Sequence, residues 1–537
     1  MAKKKIDPEL FVTGRIPLMF LRSLTALYVF FMMVIYPIYY EDKYFNMGEA
    51  KWNFFKVVTF TGLSVLTALF IWYVIELLIH KELKSGVKKF IDDMSITDWF
   101  ALSYLILVLI SSALSPFKEG VLWGFDGWYM GLIAQVCFVL IYFYVSRFYR
   151  WDPFVIACYG LGALYVFIMG LLMRFDIDPM LMYENIDESY KLQFISTLGQ
   201  TSWFSSYLVL IIPLSLFAMW HYDKKVIRVI SIAFTSISFM SLVTQNSDSA
   251  FLALVGIFMM LFWLSFDSSK YFLRFLECVI VAAASFKFMG LCQVWFAEYA
   301  IQLDTLSIMA SQSIYTWIIL IASIALYVLF KYLVDKKNFD ISKFKIVRVI
   351  VLVLLIVGII VTGIYIYLNT TGQIAEKYLS DNNYLYFGDE WGNGRGRSWK
   401  CAVGTFAEMD LPLKLFGAGP DCFYYIVYTL FAETLNARWG ENMVLVCAHN
   451  EWLNALINFG ILGVTAYIGI FVASIKRSTA NAKKCPEVLA LAIAVVAYMS
   501  HNFFCYQQII CTPMIFIFMG IAEELVRKGY VREKGIL

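Results

Sequence analysis

Apolar residues run along this chain in long, nearly unbroken blocks divided by short polar stretches. A helix needs about 20 mostly apolar residues to cross a bilayer. Windows of that length begin near residues 17, 54, 97, 128, 153, 202, 227, 249, 275, 313, 348, 451, 487 and 510. Very short turns divide the windows at 227 and 249 and the last two, so the pattern predicts twelve to fourteen spans. The first 15 residues, MAKKKIDPELFVTGR, are basic. The apolar run after them is too long for a signal peptide and lacks a small-residue cleavage site, so it is expected to stay as a first helix. One polar stretch stands apart: from Asn369 to Asn450, about 80 residues carry no spanning segment. The expected fold is an all-α polytopic membrane protein with a large, partly helical loop before its last helices. Its segments are 1–368 (eleven transmembrane helices), 369–450 (the loop) and 451–537 (the C-terminal helices).

Composition agrees. Hydrophobic residues make up 61% and charged residues 15% of 537, against about 45–50% and about 25% in soluble proteins. This excludes a soluble, disordered or collagen-like chain. The 18% aromatic content suits Trp and Tyr lining two membrane interfaces. Basic and acidic residues nearly balance, 43 against 40, so no global field points to nucleic acid. The ten cysteines include no CxxC pair, and seven lie in or beside apolar stretches, where a thiol acts as a small hydrophobe. Cys401, Cys422 and Cys447 share the long loop and could pair there if it is extracytoplasmic.

Orientation follows from loop Lys and Arg. With the N-terminus inside, 29 fall in inner segments and 12 in outer ones, with Arg22 and Lys287 inside spans. Both termini are therefore expected in the cytoplasm, and the loop on the outer face of the plasma membrane. A polar insertion of this size among tight turns is where function usually sits. No internal repeat is visible, so the paired-repeat signature of many transporters is missing.

Within the loop, Trp391–Lys400 reads WGNGRGRSWK. Gly392, Gly394 and Gly396 form a flexible lead-in that places Arg395 and Arg397 at the start of a helix. Trp399, Val403 and Phe406 recur at helical spacing, so this helix is expected on the membrane surface. Leu411-Pro412 ends it, FGAGPD (Phe416–Asp421) makes a turn, and a tyrosine-rich helix runs from Cys422 to about Asn436. CAHNEWLNALINFGILG (Cys447–Gly463) then puts His449 and Asn450 at the outer end of the next span.

The planar fork of arginine binds phosphate oxygens bidentately and stays charged, so two arginines at a lipid surface point to a diphosphate ligand. His449 sits at a helix N-terminus, with Asn450 as cap. That position attracts anions and favours a neutral imidazole, which beside a diphosphate can act as general base. The plainer alternatives are that Arg395 and Arg397 are solvated loop charges and that His449 merely anchors a helix end. His501, followed by Asn502, is the one rival on that side and reads as a packing or hydrogen-bonded residue. Lys287 lies inside a span; it is either functional or snorkels to the interface. Asp126, Glu184, Asp187 and Glu188 could meet acceptor sugar or simply be solvated.

These motifs resemble the O-antigen ligase and O-antigen polymerase superfamily of membrane glycosyltransferases, most strongly over 390–475. The resemblance rests on Gly394, Arg395 and Trp399, then Pro412, Gly417, Gly419 and Pro420, then His449, Asn450, Leu453 and Gly460, in that order. GFDGWYMGL (Gly124–Leu132) and STLGQTSWFSSYL (Ser196–Leu208) look like the family's outer helix entrances. Two departures stand out: Trp128 replaces an arginine common in relatives, and QNSDSA (Gln245–Ala250) lacks the arginine of a Ser-Arg-Gly-like turn.

The resemblance implies an undecaprenyl-diphosphate-linked glycan as donor and a hydroxyl on a glycan, lipid or protein as acceptor. Inverting transfer would release the lipid diphosphate, with no metal and no cofactor. It implies Arg395, with Arg397, Arg438 or Lys400, as the diphosphate contacts and His449 as base or as a further diphosphate ligand; Arg174 is a further basic candidate. Trp391, Trp399 and Trp439 would stack on sugars. The rival class is a flippase or transporter of lipid-linked oligosaccharides, which should show intramembrane charges and short loops.

Overall fold

The computed structural model describes residues 14–440 and 444–533. The basic residues Lys3, Lys4, Lys5 and Lys534, which contribute to the orientation argument, lie outside these ranges. The chain is 75% helical with almost no sheet. Every apolar window becomes a helix. In chain order these are α1 Arg15–Phe30, α2 Met47–Ile79, α3 Ile96–Leu114, α4 Leu132–Phe148, α5 Pro153–Met173, α6 Thr201–His221 and α7 Lys225–Thr244. Then follow α8 Ser249–Ser265, α9 Ser269–Trp295, α10 Ile314–Lys337, α11 Ile346–Thr370, α12 Glu451–Asn481, α13 Val488–His501 and α14 Thr512–Glu533. Among the described residues, ten helices are long and apolar enough to cross a membrane. α4, α8 and α13 are apolar but shorter. It is a multi-pass, all-α membrane protein.

Local chemistry sets the helix starts. Ser95 and Asp98 form a reciprocal capping box at α3, and Asp152 caps α5 with Pro153 in its first turn, where the missing N–H costs nothing. Asn450 caps α12, accepting from Trp452 N and Leu453 N, both at 3.0 Å. A two-stranded hairpin, Phe194–Ile195 with Gly199–Gln200, leads into α6.

The main core gathers α1 to α9 with α12, α13 and α14. Several of its buried polar groups find partners inside the protein, as Thr59 does with Tyr28 and Gln135 with Tyr104 and Gln507, which a lipid surround favours. α11 stands apart, with none of its apolar window buried, while α10 packs along α9, Phe330 against Phe272. A separate small core under the loop joins Cys401, Ala402, Phe423, Val427 and Leu445 to Ile457 of α12.

Three loop helices form: Trp391–Glu408, Leu411–Phe416 and Phe423–Trp439. Pro412 therefore opens a short helix rather than closing the previous one. In the first of them, the small residues Ser398, Cys401, Ala402 and Thr405 are buried. The stripe of Trp399, Val403 and Phe406 lies at or near the surface. Small residues allow backbones to approach closely, which is why that face packs inward. Cys401, Cys422 and Cys447 do not pair; they are buried free thiols.

The turn at Gly417 and a break in α12 complete each other. Gly460 (φ 67°, ψ −177°) interrupts α12. The freed carbonyls of Ile457 and Asn458 accept from Ala418 N at 2.9 Å and Gly419 N at 3.0 Å. Ser111 Oγ on α3 also donates to the Asn458 carbonyl, at 2.9 Å. A Cβ at Gly417 would overlap the Asn458 backbone, and one at Gly460 the Leu415 backbone. Asp421, buried at the end of the same turn, accepts from Phe125 N at 2.8 Å and Met130 N at 3.1 Å. The GFDGWYMGL segment is thereby tied to the loop.

Candidate functional site

Arg395 is placed by a rigid turn. Gly392, Asn393 and Gly394 are all left-handed, with φ of 59°, 62° and 86°; glycine tolerates this at no steric cost and asparagine at little. The stretch expected to be flexible is thus a packed corner, and a Cβ at Gly396 would overlap the Gly388 carbonyl. Arg395 Nη1 donates back to the Gly392 carbonyl at 2.8 Å. Its guanidinium lies over the Phe504 ring, 5.9 Å from the centroid, while Nε is buried without a partner among the described residues. Among the described residues, no carboxylate pairs with Arg395.

His449 stands beside it, one residue before the α12 cap. Ser398 Oγ, one turn after Arg395, donates to the Ala448 carbonyl at 3.3 Å. Asn454 Oδ1 accepts from Ala448 N, also at 3.3 Å. His449 itself has φ 49°, a costly conformation for a bulky residue and one that recurs at functional sites. Its ring meets Tyr506 edge to face at 5.2 Å. Desolvation first and the positive charge of Arg395 second lower its pKa from 6.5 to about 3. The imidazole is therefore neutral in the free protein.

The other basic candidates are held differently. Arg397 donates to the Thr434 carbonyl at 3.0 Å and lies 3.6 Å from Asp389 and 3.5 Å from Glu390. Lys400 pairs with Asp389 at 2.8 Å, and Arg438 with Glu390 at 3.0 Å. Lys400, first among its causes, holds the Asp389 carboxyl below its ordinary range. Arg174 is fully buried, spending its guanidinium on the carbonyls of Thr244, Lys191 and Leu192. Lys287 does not snorkel; it is buried and caps Thr305–Gln312 by donating to the carbonyls of Ser311, Gln312 and Ser313. Asp126 is exposed.

Trp391 and Trp399 meet each other at 5.1 Å and pack on Phe504 at 5.8 and 5.9 Å. Their faces are thus partly taken by neighbouring rings, and both stay only partly buried. The Trp439 side chain lies outside the described part of the chain.

A polar network below the site escaped the sequence reading. Glu451, the residue after the cap, is buried and accepts from Tyr467, from Asn502 Nδ2 and from Tyr498 Oη at 3.1 Å. Its backbone N–H donates to the Asn502 carbonyl at 2.9 Å. Since the Asn502 amide nitrogen faces Glu451, its oxygen faces His501 Nδ1, at 2.8 Å. Nδ1 then carries the proton, and Nε2 faces the hydroxyls of Ser205 at 2.8 Å and Ser249 at 2.9 Å. His501 is fully buried, a hydrogen-bonded core residue as expected. The signal for Glu451 was a carboxylate in the first turn of an apolar span, next to His449-Asn450. Asp248 of the QNSDSA turn is a second omission. Burial first and Asp304 second raise its pKa, and the Arg395 charge opposes this, so Asp248 lies within the field of Arg395.

The fold and this cluster define a polytopic membrane protein whose long loop brings a cation and an imidazole together beside a helix end. Residues 299–468 match the model of the O-antigen ligase family, a stretch that holds both Arg395 and His449. The match supports a glycosyltransferase of the O-antigen ligase and polymerase type, working in a membrane on lipid-linked glycans. No curated protein matches the chain.

Proposed function

We propose that the protein transfers a glycan from an undecaprenyl-diphosphate donor to an acceptor hydroxyl on the outer face of the membrane. The observation that carries this reading is the guanidinium of Arg395, paired with no carboxylate among the described residues, beside the neutral imidazole of His449. Arg395 binds the diphosphate and stabilises the charge that grows on it as the bond to the anomeric carbon breaks. His449 takes the proton of the acceptor hydroxyl as that oxygen attacks from the opposite face, inverting the centre. Lipid diphosphate is already a good leaving group, so the step runs without a metal or cofactor.

The depressed pKa of His449 gives the order of events. Alone, an imidazole beside Arg395 is a poor base. A diphosphate on Arg395 offsets that charge and raises the basicity of the imidazole, while burial continues to lower it. The base is thus strengthened only when donor is in place. Arg397, Arg438 and Lys400, tied to Asp389 and Glu390, form a basic rim behind the primary contact. Trp391 and Trp399 meet the donor sugars with the parts of their rings that neighbouring aromatics leave open.

The test uses purified protein in detergent, where transport across a membrane is invisible. Release of undecaprenyl diphosphate with growth of the acceptor glycan supports the reading. No release in detergent, with lipid-linked glycan crossing the bilayer of reconstituted vesicles, would make the protein a flippase.

A further inference from the structure

At the end of the bundle where α2 finishes, a short helix Leu83–Asp92 lies across the ends of α2 and α4. None of its residues is buried. Val87, Phe90 and Ile91 are exposed apolar side chains, and Lys84, Lys88 and Lys89 are exposed basic ones. That division is the mark of a helix lying in a membrane interface. Beneath it is a cavity of about 630 Å³. Phe70, Val74 and Phe143 line its apolar part, and Lys89, Asp93 and Arg147 its polar end.

Arg147 is held there by Asp98, 3.0 Å from Nη2, and lies over the Phe90 ring at 5.0 Å. Its Nε and Nη1 are buried and have no hydrogen-bond partner among the described residues. An orphaned guanidinium edge is costly unless an acceptor fills it. Arginine's fork suits phosphate oxygens in particular.

We propose that this cavity binds one anionic phospholipid, its phosphate between Arg147 and Lys89 and an acyl chain in the apolar part. Charge decides between possible occupants. Lys81, Lys84, Lys88, Lys89, Arg147 and Arg527 outnumber Glu82, Asp92, Asp93 and the Asp98 that Arg147 and Arg527 share, so the rim is net positive and prefers a headgroup with net negative charge. Residues 1–13 lead into Gly14, which lies against Tyr73 of the cavity wall. They carry Lys3, Lys4 and Lys5, and like charge disfavours them as occupants.

Native mass spectrometry of the full chain, with phosphatidylglycerol or phosphatidylcholine of equal chain length added, tests this site. One phosphatidylglycerol should be retained in preference to phosphatidylcholine. Lys89→Glu should weaken retention about tenfold, the worth of one charge-assisted contact. Val74→Trp, which fills the apolar part, should abolish retention while leaving thermal unfolding in lipid-free detergent unchanged. Equal retention of the two lipids, or wild-type retention by a folded Val74→Trp, would overturn the proposal.

Discussion

The Ser398 hydroxyl donates to the Ala448 carbonyl at 3.3 Å, fastening the helix that begins with Arg395 to the residue before His449. His449 lies 54 positions after Arg395, and this contact, with the Asn454 bond to Ala448 N and the small core behind them, holds the two segments together. The Ser398 proton is shared with the Arg395 carbonyl, 3.0 Å away. Ser398→Ala should therefore leave the protein folded yet loosen the pair. Transfer activity should fall by about tenfold, in line with the ~1 kcal/mol of a typical hydrogen bond plus the cost of an unsatisfied carbonyl. Equal turnover in Ser398→Ala and wild type, at matched protein amounts, would contradict this.

Arg395 and Arg397 should respond differently to the same change. Arg395→Lys keeps the charge and loses the fork, so activity should drop by the ~1.5–3 kcal/mol of a charge-assisted contact. Arg397 is already engaged by Asp389, Glu390 and the Thr434 carbonyl. Arg397→Lys should stay within about threefold of wild type, a change under ~1 kcal/mol. Steady-state transfer at equal membrane levels measures both, and the reverse ranking would move the diphosphate to Arg397.

The two motif glycines should fail together. Gly417 has φ 82° and Gly460 φ 67°, and each would drive a Cβ into the backbone of the other's segment. Gly417→Ala or Gly460→Ala should cost at least the ~1–3 kcal/mol of a strained residue, seen as lost folded yield or a lower melting temperature. Gly440 has φ 76° but meets nothing within 4 Å among the described residues, so Gly440→Ala should cost less. Similar melting of all three variants would refute the argument.

Asp421 carries a pH signature. Desolvation raises its pKa from 3.8 to about 6 against two backbone N–H donors. Folding thus favours the protonated form. That contribution is fully present below about pH 4 and is lost as the pH rises through 6. Asp421→Asn keeps an acceptor and removes the charge, so it should flatten the pH dependence of melting between pH 4 and 7, matching wild type near pH 4 and exceeding it at pH 7. Asp421→Ala, which leaves two buried N–H groups unpaired, should lose about 1–3 kcal/mol. Unaltered pH dependence in Asp421→Asn would exclude it as the titrating group.

How far the sequence reveals this molecule depends on the kind of signal. Every apolar window became a helix, because burial in lipid leaves the backbone no other way to satisfy itself. The Asn450 cap was legible for the same local reason. What one sequence does not display is pairing across distance. Gly417 and Gly460 could each be read as a turn residue; only the fold shows that one fills the break made by the other. Motif spacing singled out Arg395, but that Arg397, Lys400 and Arg438 are engaged by Asp389 and Glu390 shows only in the fold. Glu451 and Lys287 are buried charges whose partners come from other helices or from a helix end, so no periodicity could announce them. The glycines before Arg395 read as flexible because composition reports freedom in the unfolded chain and says nothing of the packing that removes it.

The order of binding predicts a shift between two pH profiles. His449 must be neutral to act, and its pKa of about 3 in the free protein should rise when diphosphate offsets Arg395. The acid limb of kcat should therefore lie at higher pH than that of kcat/KM for donor. Coincident limbs would mean that donor binding leaves the imidazole untouched.

The most direct measurement is turnover by His449→Ala at saturating donor, taken together with the donor dissociation constant. If His449 is the base, turnover should fall by roughly 10²–10⁴-fold, while donor binding, which rests on Arg395, stays as in wild type. Wild-type turnover in His449→Ala, with His501→Ala inactive but folded, would place the chemistry on the wrong helix end and contradict the account.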